Sequence, residues 1–282
     1  MSHIQLVALD LDGTLFNNQS VISQENLKTI RTITDAGIHV VISTGRPFNG
    51  VPFVQLEGTG IDYAITANGS GIYRISTGEC LFDDSMPEEL ILPILDFLLQ
   101  KDINIDAFIA GKGVSPTKCR ETALKLSVPD SIKAYIVDTR FRVDDLADYI
   151  HSNHLQVQKM TLNFLREPDG TLKHREEVRA FLEGNPQVTC VCGGYNNLEF
   201  TRADVSKGAG LLKLADALGV ASCDTMAIGD TENDISIIDA AGIGVAMGNA
   251  TPDVKEAADY ITCSNEEDGV AAAIRHFLPE LF

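Results

Sequence analysis

Short apolar runs separated by polar clusters set the rhythm of this 282-residue chain. Ile4, Leu6, Val7, Ala8 and Leu9 make an apolar run, which reads as a buried strand. After it, Leu27, Ile30 and Ile33 recur at helical spacing behind Ser23, a natural N-cap, with Gly37 as the left-handed stop. Ile38–Ser43 reads as a second strand, and Asp62–Tyr73 as a further strand running into a turn. The last third repeats the alternation. Lys207–Leu218 reads as a helix ended by Gly219, Thr225–Asp230 as a strand, Glu232–Ala241 as a helix and Ile243–Met247 as a strand. Thr251 and Pro252 open another helix with a cap and a first-turn proline. A short strand at Tyr260–Thr262 and a helix carrying Val270, Ala273, Ile274 and Phe277 complete the chain. Strands alternating with helices predict an α/β fold with a doubly wound, Rossmann-like parallel sheet.

Between about Met86 and Tyr195 the alternation loosens. Helical patterns cover Met86–Gln100, Arg142–Asn153 and His174–Gly184, while Asn104–Gly111 and Gln158–Leu165 read as strands. Gln187–Gly193 and Asn196–Arg202 read as a strand pair joined through a Gly-Gly-Tyr turn. The pattern predicts an α+β domain over residues 86–195, inserted into a core made of 1–85 plus 196–282.

Composition narrows the function. A formal charge of -18 and a pI near 4.6 argue against a basic nucleic-acid face and against docking on an anionic membrane. They leave room for a small anionic substrate, because a metal or a few cations can invert the field in a cleft. No apolar run reaches the roughly 18 residues that span a bilayer, and the N-terminus does not read as a signal peptide. The six cysteines are scattered, without metal spacing, and read as reduced thiols. Together these features lead to the expectation of a cytoplasmic protein.

The candidate chemistry lies where predicted strands end. Asp10 and Asp12 close the first run, with Gly13 and Thr14 directly behind them. Ligands of open parallel sheets bind at the carboxyl ends of strands, and alternation would turn both carboxylates to one side. Two such charges raise each other's pKa unless a cation lies between them, and all-oxygen donors favour magnesium. The plain alternative is a solvated Asx turn. Ser43-Thr44-Gly45-Arg46-Pro47 follows the second strand and offers a hydroxyl, backbone N–H groups and a guanidinium to an anion, although such turns are common without one. Lys207 opens a helix, where an ammonium opposes the dipole, so pairing with an anion is one reason for it and a surface position the other. Asp230, Glu232, Asn233 and Asp234 crowd a strand end and helix start, where Asp230 is placed to be a third carboxylate on the cation.

DLDGTL, STGRP, Lys207 and GDTEND, in this order and with a large insertion between the second and third, resemble the haloacid dehalogenase-like superfamily. Within it the chain resembles the Cof-type phosphatases, which carry a large cap at that insertion. The likeness extends to Ala67–Gly69 and Gly244–Ala250. The resemblance implies Asp10 as the nucleophile that takes up a phosphoryl group and Asp12 as general acid and then base. It implies Mg2+ held by Asp10, the main-chain carbonyl of Asp12 and Asp230, with Asp234 in support, directly or through water. Thr44, Gly45, Lys207 and Asn233 would bind the phosphoryl group or substrate, Ser43 being the neighbouring alternative to Thr44. Arg46 would either join them or serve structure.

The expected activity is Mg2+-dependent hydrolysis of small phosphomonoesters, sugar phosphates among them, through an aspartyl phosphate. The cap would choose the leaving group, with Asn163, Tyr195 and Glu199 as candidates, while His151, His154 and His174 read as solvated. A phosphomutase on the same core and a non-catalytic regulator that binds sugar phosphates are the alternatives. Neither oligomeric state nor a particular substrate follows from the pattern.

Overall fold

The computed structural model describes residues 4–282. Among them are fourteen strands: β1 (Leu6–Leu9), β2 (His39–Ser43), β3 (Tyr63–Thr66), β4 (Gly71–Arg74), β5 (Glu79–Asp83), β6 (Asn104–Ile109), β7 (Lys112–Pro116), β8 (Phe141–Val143), β9 (Lys159–Asn163), β10 (Val188–Val191), β11 (Leu198–Arg202), β12 (Thr225–Gly229), β13 (Ile243–Ala246) and β14 (Tyr260–Ile261). They fall into two compact units, one ending its first segment at Arg46 and continuing through Val51–Phe82 and Ser206–Phe282. The other holds Pro47–Gly50 and Asp83–Val205.

The first unit is built on an eight-stranded sheet in the order β14-β13-β12-β1-β2-β3-β4-β5, parallel from β14 through β3. Alternation along the strands fills both faces. Leu6, Ala8, Val41, Ile65 and Ala227 pack with Leu211, Leu214, Ala215 and Ile237 of the helices Lys207–Leu218 and Ile235–Ala240. Val7, Leu9, Val40 and Ile42 turn to the other face and are equally buried, on the side of the helix Gln24–Asp35 and its stripe Leu27, Ile30 and Ile33. Each fully buried Leu, Ile or Val among them contributes about 1.5–3 kcal/mol by leaving water. Ser23 caps that helix by accepting from the Asn26 N–H at 3.1 Å, and Gly37 follows it at φ 89°.

Some local detail departs from the pattern. Asp62–Tyr73 is not one strand but an antiparallel hairpin of β3 and β4, turned through Ala67–Gly69. The helix expected over Glu232–Ala241 is a 3-10 turn at Glu232–Asp234 leading into Ile235–Ala240. The edge strand β5, with no fully buried residue and acidic at both ends, carries no periodic signal.

The second unit has a six-stranded sheet in the order β10-β11-β9-β6-β7-β8, antiparallel except for β7 beside β8. One face is apolar: Ile105, Ala107, Met160, Leu162, Leu198 and Phe200 pack with Ile91, Leu95, Leu98, Ile150, Val178 and Leu182 of the helices Glu88–Leu99, Leu146–Ser152 and Arg175–Glu183. This unit runs to Val205. A boundary at 195/196 would cut the β10–β11 hairpin, and β11 also pairs with β9, so residues 198–202 lie in this sheet and not in the core. The helices Cys119–Leu124 and Asp130–Asp138, and the strands β7 and β8, are short elements that the apolar pattern does not announce. No helix among the described residues is long and apolar enough to cross a membrane.

Candidate active site

The carboxyl ends of β1, β2 and β12 meet the start of the helix Lys207–Leu218. Asp10 stands one residue past β1, held by its N–H on the Ile228 carbonyl at 3.1 Å. Asp230 stands one residue past β12. Carboxylate oxygens of Asp10, Asp230 and Asp234 lie within 4.8 Å of one another, and all three residues are buried. Lys207 closes the group. Its Nζ, on a side chain that is 0% exposed, donates to Asp10 Oδ1 at 2.7 Å and to Asp234 Oδ1 at 2.6 Å. The ammonium at this helix start therefore pairs with anions, which overrides its unfavourable place on the dipole.

Asp234 is used at both oxygens. Oδ2 accepts from the N–H groups of Asp230 and Thr231 at 2.9 and 3.1 Å, closing a capping box with Thr231. Asp234 thus fixes the loop after β12 and the position of Lys207. Asp10 and Asp230, by contrast, each keep an Oδ2 to which nothing among the described residues donates. Gly13 explains how the loops approach so closely: at φ 90°, a Cβ there would stand 2.2 Å from Asp230 Oδ2. Thr14, missed in the sequence, donates to Asp230 Oδ1 at 3.0 Å.

Asp12 departs from the expected pairing. The alternation argument requires a strand through residue 12, but β1 ends at Leu9 and the chain turns, with Thr14 and Phe16 N–H groups on the Leu11 carbonyl. The Asp12 carboxylate lies in the fork of Arg46, Nε to Oδ2 at 2.7 Å and Nη2 to Oδ1 at 2.6 Å, and not with Asp10. Arg46, whose guanidinium also covers the Phe16 ring, is therefore spent on Asp12 in this structure.

Thr44 follows β2, is buried, and its Oγ1 accepts from the Arg46 N–H at 3.1 Å, spanning Gly45. Ser43 is the last residue of β2, and its buried hydroxyl has no partner among the described residues. Asn233 is anchored at both ends of its amide: Oδ1 accepts from Thr231 Oγ1 at 2.9 Å, and Nδ2 donates to Asn68 Oδ1 at 3.2 Å. That leaves one Nδ2 proton. Asn68 belongs to a turn with positive φ at Ala67 (50°), Asn68 (57°) and Gly69 (103°). Its N–H donates to the Thr44 carbonyl, the Ala67 N–H to the Arg46 carbonyl, and a Cβ on Gly69 would stand 2.1 Å from the Ser206 carbonyl oxygen. This strained turn touches the Thr44, Asn233 and Lys207 segments, and strain of this kind persists only where its surroundings hold it. Of the remaining candidates, Asn163 and Glu199 lie on β9 and β11 of the second unit, and Tyr195 on an exposed turn. His151 and His154 are exposed, and His174 is half-buried beside Glu177.

The electrostatics follow from burial. Loss of solvent, then Asp234, push the Asp10 carboxyl well above its ordinary range, against the pull of Lys207. Asp230 is pushed up to about 7, by burial first and Asp234 next, with the Thr14 hydroxyl opposing. Burial favours a neutral Lys207, yet Asp10 and Asp234 outweigh it and keep the ammonium charged. Three carboxylates share one ammonium, so the site is short of positive charge. A hard dication suits these oxygen donors and that deficit.

A parallel core sheet with an aspartate just past its first strand, a buried lysine bridging two carboxylates and a second unit inserted in the chain define a hydrolase of the haloacid dehalogenase-like class. The chain belongs to the haloacid dehalogenase-like hydrolase family, whose model matches residues 7–274, and to its Cof-type branch. It is 34% identical over 275 residues, 98% of this chain and 96% of the relative, to a 5-amino-6-(5-phospho-D-ribitylamino)uracil phosphatase of Bacillus subtilis. To a phosphoglycolate phosphatase of Methanoculleus marisnigri it is 28% identical over 281 residues, 99% of each chain. A solved haloacid dehalogenase-like hydrolase from B. subtilis matches with a TM-score of 0.84 at 28% identity, over 98% of this chain and 100% of that one.

Proposed function

We propose that the chain is a Mg2+-dependent phosphatase of small phosphomonoesters, sugar phosphates among them, that works through an aspartyl phosphate on Asp10 in the cytoplasm. The observation that carries this reading is the buried Lys207 bridge: it holds Asp10 by one oxygen and leaves the other unpartnered. An ionised carboxylate so held is a competent nucleophile. Asp10 attacks phosphorus, the bond to the ester oxygen breaks, and Asp12 gives that oxygen its proton. Water then attacks phosphorus, its proton passes to Asp12, the bond to Asp10 breaks and inorganic phosphate leaves. For both transfers Asp12 turns out of the Arg46 fork. Thr44 and the remaining Nδ2 proton of Asn233 donate to phosphoryl oxygens, and Lys207 balances their charge.

The donor set supports magnesium: Asp10 and Asp230 would hold it through their unpartnered oxygens, the family resemblance adds the Asp12 carbonyl, and Asp234 orients the loop. When bound, the ion would supply the positive charge that the three carboxylates lack. The second unit selects the alcohol part of the substrate. The test is phosphate release from a panel of phosphomonoesters with Mg2+, with EDTA, and with Asp10→Asn. The reading requires release that EDTA stops, Mg2+ restores and Asp10→Asn lacks. Near-normal release by Asp10→Asn, or isomerised sugar phosphate in place of free phosphate, contradicts it.

A further inference from the structure

Two loops of the first unit that the chemistry has not used hold the turn that carries Asp12. Gly244–Ala250, already distinctive in the sequence, runs into the loop after β13, and Asn265 lies in the loop after β14. Asn249 Nδ2 donates to the Gly13 carbonyl at 2.8 Å, and its Oδ1 accepts from the Asn265 N–H at 2.9 Å. Asn265 Nδ2 donates in turn to the Phe16 carbonyl at 2.9 Å. The turn also has bonds of its own: the Thr14 and Phe16 N–H groups donate to the Leu11 carbonyl at 3.3 and 2.8 Å, and the Leu15 N–H to the Asp10 carbonyl at 3.2 Å. Two linked asparagines thus clasp it from outside, at the carbonyls one and four residues past Asp12.

The loop that carries Asn249 also grips the Asp230 side. The Met247 N–H donates to the Gly229 carbonyl and the Thr251 N–H to the Asp230 carbonyl, both at 3.0 Å. Gly248 fixes the loop itself. Its N–H donates to the Cys263 carbonyl at 2.9 Å, its carbonyl accepts from Lys255 Nζ at 2.6 Å, and a Cβ there would stand 2.8 Å from the Ser264 nitrogen. In the sheet β12 lies between β13 and β1, so the Asn249 bond reaches past the strand end that bears Asp230. Residues 247–251 therefore set the Asp230 loop and the Asp12 turn in register. Asn249 is exposed, and a hydrogen bond made in water adds little to stability. A bond between residues 236 apart in sequence does fix where the turn lies.

The two proton transfers give that fixity a use. Asp12 has to leave the Arg46 fork and reach the same point twice, once to protonate the ester oxygen and once to take a proton from water. With the Gly13 and Phe16 carbonyls held, the backbone stays in place and only the side chain turns. Small displacements of a reacting group cost large factors in rate. We propose that Asn249, backed by Asn265, is a positioning residue for Asp12: it clasps the turn so that the proton donor is delivered by side-chain rotation alone. The proposal rests on the phosphatase reading in taking Asp12 as that donor.

The experiment compares the parent with Asn249→Ala, which removes both bonds, and Asn249→Asp, which keeps the acceptor for the Asn265 N–H but has no donor for Gly13. The first readout is the ratio of kcat for an alkyl phosphate (glycerol, glucose or ribose phosphate, whichever the parent cleaves fastest) to kcat for para-nitrophenyl phosphate. The alkyl leaving group needs the acid's proton and nitrophenolate departs without one, so the ratio reports the acid and a general loss of structure does not move it. Both variants should lower the ratio about tenfold, the worth of one hydrogen bond, and melt within a few degrees of the parent. The second readout is amide hydrogen exchange in EDTA, where the N–H groups of Thr14, Leu15 and Phe16 should exchange several-fold faster in both variants while β1 and β12 stay at the parent's rates. A parental ratio in either variant, an equal loss on both esters, or parental exchange in the turn overturns the proposal. So does a fall of several degrees in melting temperature with the ratio unchanged, which would assign Asn249 to the fold. A parent that cleaves only para-nitrophenyl phosphate has no working acid to position and overturns it too. If the parent cleaves no ester, the phosphatase reading fails and the proposal with it, whereas an active parent with an unchanged ratio sinks the proposal alone.

Discussion

Replacing Asp230 by asparagine tests the charge deficit of the site through stability alone. Its carboxyl titrates near 7 in the folded, metal-free protein, against an ordinary 3.8. Between those values the folded state keeps a proton that the unfolded chain has lost, so stability falls as pH rises through the window. Ionising Asp230 in place costs about 4 kcal/mol once pH is well above 7. An asparagine keeps an oxygen for the Thr14 hydroxyl and never ionises. In EDTA, Asp230→Asn should therefore gain on the parent by about 2–3 kcal/mol between pH 5 and pH 8. In melting temperature that is about 5–10 °C for a chain of this size. Urea unfolding at both pH values, followed by circular dichroism, measures the difference. A stability gap that does not change with pH, or a variant less stable than the parent at pH 8, would refute the reasoning.

Two further outcomes follow from the same geometry. Lys207→Met leaves Asp10 and Asp234 buried without their cation; it should abolish turnover and lower stability at pH 8 by about 3–5 kcal/mol, measured by urea unfolding. Asn68→Gly tolerates the left-handed backbone but removes the acceptor for Asn233, so kcat/KM should fall about tenfold with a melting temperature within a few degrees of the parent, while Asn68→Asp, which retains an acceptor, should melt like the parent and recover part of the rate.

Much of this site is legible in the chain because its residues follow apolar runs. Asp10, Thr44 and Asp230 each stand one residue past a strand whose hydrophobic run marks its end. Lys207 is legible by the opposite logic, as a charge that its own helix disfavours. Its depth is not: nothing in the pattern separates a surface lysine from one bridging two buried carboxylates. Asp12 misleads, because a strand's alternation is carried one turn too far; only the backbone past Leu9 shows that its side chain belongs to Arg46. Asn68 and Thr14 act through contacts 165 and 216 residues away in sequence, which no local period encodes. In the second unit, the strands with strong apolar alternation are readable. The short helices at Cys119–Leu124 and Asp130–Asp138 are not, because their buried positions are few. The β10–β11 pair is visible as a hairpin, yet pairing of β11 with β9 is what assigns residues 198–202 to this sheet.

The central claim is that Asp10 becomes esterified by the phosphoryl group. Its most direct test is acid quenching during turnover of a cleaved phosphomonoester, followed by peptide mass spectrometry with and without borohydride reduction. The account predicts a phosphoryl adduct on Asp10 that borohydride converts to homoserine at that position. Steady phosphate release with Asp10 unmodified throughout, or an adduct on any other side chain, would contradict it.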